Sequence, residues 1–326
     1  MKIVIIKLGA LGDVVRTLPL AKAIKTKHKS SKLYWITKKE SLELFENNPY
    51  VDKVFILPYK GKEHFDILYN FDIDDEVTSL AKSISADKKY GFYKEGDYPS
   101  SFNLGAEYYL NTLFDDQLKR ENRKTYQEMM FEAAELPYSK EPPEIYLTEK
   151  DIKYSQDFIK KYNIKTENLI GIHMGASQRW PSKAWSKEKL KEFIILAKNK
   201  GYEIILFAGP DEIKKQSELI KELEQEKIKV YTNNPNNTKR EFVSLVNICK
   251  KIVCSDSLAL HIALALKKPT IGLFFCTTPY EVEGYGLLKK IISPLFNKYF
   301  PEKQDQYIEE LVNSIPAQEI LDAIED

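Results

Sequence analysis

Apolar residues recur along this chain in two rhythms. Short β-branched runs bounded by glycine or polar residues predict buried strands. The first is Lys2–Leu8 (KIVIIKL), ending at Gly9. Further strands are expected at Lys32–Ile36, Lys53–Leu57, Asp66–Asn70 and Lys88–Tyr93. Helical spacing fills the gaps. Val14 to His28 reads as a helix lined by Leu18, Ala21 and Ile24, with Pro19 predicting a kink or a late start. Residues 105–135 also read as helical. Leu136 to Pro143 holds three prolines in eight residues and predicts a linker. The pattern then restarts with a helix at Glu149–Tyr162 and a strand at Leu169–His173. Lys187–Asn199 places Leu190, Phe193, Ile194 and Ala197 on one helical face. Strands are expected at Glu203–Ala208, Lys229–Tyr231, Lys251–Cys254 and Thr270–Phe274, and a last helix near Gln304–Ile324. Strands alternating with helices make an α/β protein of two doubly wound units, 1–148 and 149–326, with a ligand cleft between them. The last helix has two expected seats, on its own domain or back on the first.

Composition narrows the class. The 326 residues are 43% hydrophobic and 30% charged, with 20 Tyr and 16 Phe, so disorder and low complexity are excluded. The net charge of +1 gives no sign of a nucleic-acid binder. Cys249, Cys254 and Cys276 form no CxxC pair, which argues against a disulfide framework or structural zinc and for a reducing compartment. No run of 18 apolar residues predicts a membrane span, and the start is too short for a signal-peptide core. The chain reads as cytoplasmic, with peripheral membrane contact left open. Residues 1–39 carry ten Lys/Arg against the single acid Asp13, so this stretch either faces an anionic partner or is a solvated face offset by Asp72 to Glu76.

Four segments carry candidate chemistry, each after a predicted strand. In Lys7-Leu8-Gly9-Ala10-Leu11-Gly12-Asp13, two glycines permit a sharp turn, and Asp13 is either a helix cap or a general base. In Gly171–Trp185, hydroxyls, Arg179 and Lys183 gather where a phosphate would bind; the plainer reading is a solvated loop with Trp180 and Trp185 as core plugs. Ser255–His261 opens a helix whose first amides suit a phosphate, with Asp256 a candidate for a sugar hydroxyl. Gly209–Glu212 offers carboxylates for ribose hydroxyls or for an ordinary cap. A metal held by His173 and His261 lacks carboxylates at suitable spacing. The glycine fingerprint of dinucleotide binding is missing, which disfavours a nicotinamide enzyme.

Taken together the segments resemble glycosyltransferase family 9, the ADP-heptose:lipopolysaccharide heptosyltransferases. KLGALGDVVRTLPLAKAI is similar to the family's opening motif, GIHMGASQRWPSKAW to its phosphate loop, and SDSLALHIALALKKPTIGLF to its Asp-Ser/Thr-Gly-x-x-His segment. The resemblance implies a GT-B fold with the donor mainly in the C-terminal domain. It also implies inverting transfer of heptose from a nucleotide diphosphate sugar to a lipopolysaccharide core, without a metal or other cofactor. By position, Asp13 would be the base. Ser177 and Lys183 would meet the diphosphate, and Asp211 or Glu212 the ribose. Asp256, Ser257, Leu258 and His261 would complete the donor site. An anionic glycolipid acceptor would meet Lys7, Gly12, Arg16, Lys60, Lys62, Arg120, Arg123 and Lys124. Two departures fall near the expected donor pocket. Leu258 stands where glycine is usual, and its side chain would either turn into the core or narrow the pocket. Cys276 and Thr277 replace a Phe-Gly-Pro-Thr-like turn. The alternatives are a sugar-nucleotide epimerase or hydrolase on the same fold, or a relative that only binds a nucleotide.

Overall fold

The computed structural model describes residues 1–175 and 179–325. The chain divides into two compact units: unit 1 is 1–146 with 280–283, and unit 2 is 147–279 with 284–326.

Unit 1 is built on six strands, β1 (Lys2–Ile6), β2 (Lys32–Thr37), β3 (Lys53–Ile56), β4 (Phe65–Asn70), β5 (Ala86–Glu95) and β6 (Tyr98–Ser101). Their order is β3-β2-β1-β4-β5-β6. All neighbours are parallel except the β5–β6 hairpin. Ile3 to Ile6 are fully buried, as a strand covered on both faces requires. Helices α1 (Leu11–Thr17), α2 (Pro19–Lys27), α3 (Asp75–Ser83), α4 (Leu104–Phe114), α5 (Asp116–Glu121) and α6 (Tyr126–Ala133) join them. The expected helix from Val14 to His28 is two helices. Pro19 occupies the first position of α2, where its missing N–H costs nothing.

Unit 2 begins with α7 (Glu149–Tyr162) and then alternates β7 (Leu169–His173), α8 (Lys187–Asn199), β8 (Glu203–Phe207), α9 (Ile213–Gln225), β9 (Tyr231–Thr232), α10 (Lys239–Ile248), β10 (Lys251–Ser255), α11 (Leu258–Ala265) and β11 (Thr270–Phe274). It closes with β12 (Leu288–Ile292), α12 (Phe296–Tyr299), α13 (Glu309–Val312) and α14 (Ala317–Glu325). The order β12-β11-β10-β7-β8-β9 is parallel throughout. The expected last helix is broken at Ser314-Ile315-Pro316, because the residue before proline disfavours helix. Ile320, Leu321 and Ile324 of α14 join the unit 2 core with Phe193 and Ile194 of α8, so the chain end sits in unit 2.

Counted from its own first strand, each sheet runs 3-2-1-4-5-6, with direction reversing between its first and fourth strands. At such a switch point the following loops diverge and leave a crevice beyond the carboxyl ends of the strands. In unit 1 this point lies between β1 and β4, in unit 2 between β7 and β10.

Candidate active site

The turn after β1 is held by one carboxylate. Asp72, just past β4, accepts from the amides of Leu8 and Gly9, the latter at 3.0 Å, through Oδ2. Its Oδ1 takes the Lys7 ammonium at 2.7 Å, and Lys7 Nζ also donates to the Phe71 carbonyl at 2.9 Å. Asn70 braces Asp72 in turn, accepting from its amide at 3.1 Å and donating to its carbonyl at 2.9 Å. Lys7 is only 3% exposed, so its charge is satisfied inside unit 1. Burial works against that charge, but Asp72, Tyr126 and Asp13 outweigh it and hold the ammonium pKa well above the usual lysine value.

Asp13 stands in the first turn of α1 and accepts from Arg16 Nη2 at 2.8 Å, its side chain 32% exposed. Gly9 makes room beside it. A Cβ there would lie 3.1 Å from Lys7 Nζ and 3.2 Å from Asp13 Cβ. Arg16 lies over the Tyr126 ring at 3.7 Å from its centroid. Gly12 is buried within α1. Of the other expected acceptor cations, Lys60 and Lys62 are exposed between β3 and β4. Arg120 is exposed near the end of α5. Arg123 donates to the carbonyls of Arg120 and Asn122 and lies 4.2 Å from the Tyr280 ring centroid. Lys124 pairs with both oxygens of Glu132 at 2.7 and 2.8 Å.

In unit 2 the carboxyl end of β10 carries a second cluster. Asp256 Oδ2 accepts from Lys183 Nζ and from Thr277 Oγ1, each at 2.9 Å. His261 Nε2 lies 3.6 Å from Oδ1. The Lys183 and Asp256 side chains are 14% and 15% exposed. Ser257 opens α11 without capping it, and its Oγ is buried with no hydrogen-bond partner among the described residues. Leu258, the first residue of α11, is half-buried. Burial pushes the pKa of the Cys276 thiol, next to Thr277 in the chain, up to about 12. Ser177 lies outside the described residues.

The loop bearing Lys183 is anchored from three sides. Ser182 Oγ donates to the Gln306 carbonyl and accepts from the Ile308 amide, both at 2.8 Å. Trp185 is a core residue whose Nε1 donates to the Ile315 carbonyl at 3.2 Å, and Lys215 donates to the Trp185 carbonyl at 3.2 Å. Trp180 is half-buried against the same core. Glu212 accepts from the Gly209 amide at 2.8 Å, and a Cβ on Gly175 would fall 2.5 Å from its carboxyl carbon. Glu212 thus acts as a brace between two turns, whereas Asp211 is exposed. Asp72, Ser182 and Lys215 were not singled out from sequence as site residues. Asp72 had one signal, its position two residues beyond a strand end, but an acidic run there reads equally as a solvated helix start.

Residues 61–312 match the sequence profile of glycosyltransferase family 9 (heptosyltransferase), and the chain belongs to that family. It is a glycosyltransferase. Among its relatives, lipopolysaccharide heptosyltransferase 1 of Campylobacter coli is 25% identical over 90% of this chain and 89% of its own. A solved family 9 glycosyl transferase from Veillonella parvula superposes with a TM-score of 0.76 at 17% identity, covering 99% of this chain and 96% of the other. E. coli ADP-heptose lps heptosyltransferase II superposes at 0.72 with 17% identity, over 100% and 98%. These likenesses establish the fold, two Rossmann-like halves of the GT-B class.

Proposed function

We propose that this protein is an inverting, metal-independent heptosyltransferase that moves heptose from ADP-heptose to a lipopolysaccharide core acceptor in the cytoplasm. The observation that carries the reading is the Lys183–Asp256–Thr277 cluster at the opening of α11. It sets an ammonium on Asp256, two residues before the first turn of α11 and at the switch point of unit 2, where the charge of a leaving diphosphate is best stabilised. The names of the relatives supply the sugar, the nucleotide and the acceptor. In this reading Asp13 takes the proton of the attacking acceptor hydroxyl. Lys183 binds the diphosphate, the buried Ser257 hydroxyl gains a partner in the donor, and exposed Asp211 meets the ribose. Asp256 orients Lys183 and accepts from a sugar hydroxyl, with His261 behind it.

Lys7 is better placed as a brace of the β1–α1 turn than as an acceptor contact, since Asp72 and the Phe71 carbonyl already satisfy it. Lys60, Lys62, Arg120 and Arg123 are exposed and can meet an anionic acceptor.

The test is direct. The protein is incubated with ADP-heptose and a heptose-free core glycolipid; the product is weighed by mass spectrometry and its anomeric configuration is read by NMR. Transfer with inverted anomeric configuration, undiminished by chelator, is expected. ADP release that ignores the acceptor would replace transfer with hydrolysis, and no reaction with ADP-heptose would reject the donor.

A further inference from the structure

The resemblance put Arg16 among the acceptor contacts, yet its geometry points elsewhere. Arg16 lies one turn along α1 from Asp13, and its guanidinium meets both Asp13 and the Tyr126 ring. One nitrogen meets Asp13 Oδ1 at 2.8 Å, and the plane covers the Tyr126 ring at 3.7 Å. An exposed ion pair of this spacing would contribute little by itself. This one rests on a built platform. Tyr126 is fully buried, and its hydroxyl shares a hydrogen bond with Thr17 Oγ1 at 3.1 Å. Its amide donates to the Glu281 carbonyl at 2.9 Å, and its ring meets Tyr109 of α4 edge-on at 5.8 Å. The ring cannot drift, so a planar guanidinium stacked on it has a fixed direction.

We propose that Arg16 is the positioning residue of the Asp13 carboxylate, fixing its rotamer; the proposal rests on Asp13 being the base. The groups around Asp13 come from several packed elements, and the 3-10 segment Lys39–Phe45, which carries Lys39, Glu40 and Glu43, also packs against α1. Arg16 is on its own helix, and Lys7 lies across Gly9 at the end of β1 with Asp72 of the β4 end behind it. Tyr109 comes from α4, Tyr126 from α6, and Glu281 lies in the segment adjoining Tyr126. Arg16 and Lys7 are both cations close to Asp13. Charges so placed favour the carboxylate over the acid.

Steady-state kinetics of the full chain with ADP-heptose and the core acceptor, measured across pH, test this. Arg16→Gln is expected to lower kcat about tenfold, since a misplaced base loses its attack geometry. The acceptor KM should change by less than about twofold. With one cation gone the carboxylate loses a favourable partner, so the acid limb of kcat/KM should move to higher pH. Arg16→Lys restores the charge without the stacked fork. Its limb should return towards the wild type while kcat stays several-fold low, and it carries the test alone if Arg16→Gln does not fold. A raised acceptor KM with unchanged kcat and limb in either variant would make Arg16 an acceptor contact and overturn the proposal. Asp13→Asn separates the two layers. Near-normal turnover there removes the base itself, whereas an inactive Asp13→Asn beside an unshifted Arg16→Gln limb removes only the role of Arg16.

Discussion

Lys183 and Asp256 share one bond at 2.9 Å in a setting with little solvent, and that bond sets what their substitutions do. If Lys183 holds the diphosphate, Lys183→Ala removes a charged hydrogen bond of about 1.5–3 kcal/mol. ADP should then bind roughly tenfold or more weakly, while adenosine binding scarcely changes. Calorimetric titration with both ligands decides it, and equal losses would refute the diphosphate contact. His173 ends β7 with its pKa lowered to about 4, chiefly by burial. The unfolded chain takes this proton near the ordinary histidine value while the folded chain stays neutral. Stability is therefore fully present above about pH 6.5 and erodes as pH falls towards 4. Denaturant unfolding at pH 7 and pH 5 should show His173→Gln losing about 2 kcal/mol less than the wild type. Parallel losses in the two proteins would mean that His173 titrates normally. At this scale the sequence nominated Asp13, Lys183 and Asp256 as candidates in the segments that follow strands. It did not show that Lys7 is buried or that Arg16 turns to Asp13, because a charged side chain's neighbours come from distant segments.

Elements were legible where local pattern and tertiary demand agreed. Glu149–Tyr162, Leu169–His173, Lys187–Asn199 and Thr270–Phe274 have the bounds their apolar periodicity predicts. β6 and β12 escaped notice. β6 is a four-residue edge strand made by the two-residue turn Gly96-Asp97, with Gly96 at φ +59°. β12 carries Lys289 and Lys290 in its middle, and only pairing with β11 makes it a strand. Gly171 shows how tightly the second sheet is covered. A Cβ there would lie 2.7 Å from Ile252 Cδ1 and Phe207 Cε2 and 2.8 Å from Cys249 Sγ. Gly171→Ala should destabilise the protein by about 1–3 kcal/mol through overpacking, seen as a lower denaturation midpoint. An unchanged midpoint would show that the three neighbours yield freely.

Across the whole molecule, the second of the two readings of the basic start gains ground. Unit 1 holds 22 Lys and Arg against 25 Asp and Glu, a net charge of −3, so the surplus in residues 1–39 is offset within its own unit. Any attraction for an anionic acceptor must come from local cations. Lys60→Ser with Lys62→Ser should raise the acceptor KM several-fold at low salt and flatten its rise with ionic strength, since exposed charges are screened within about 10 Å at 0.1 M. An unaltered salt profile would exclude this loop. The sequence by itself determined the α/β class, the doubly wound alternation, the family and the polar candidate segments that follow strands. These follow from periodicity and from short motifs whose residues are neighbours in the chain. Only the tertiary structure decided that Asp72 grips the Lys7–Gly9 turn, that Thr277 joins Lys183 on Asp256, and that Arg16 is spent on Asp13 and Tyr126. Each of these pairings closes a contact between segments far apart in sequence or fixes a rotamer against a buried ring, and packing alone selects among the partners that a polar side chain can reach.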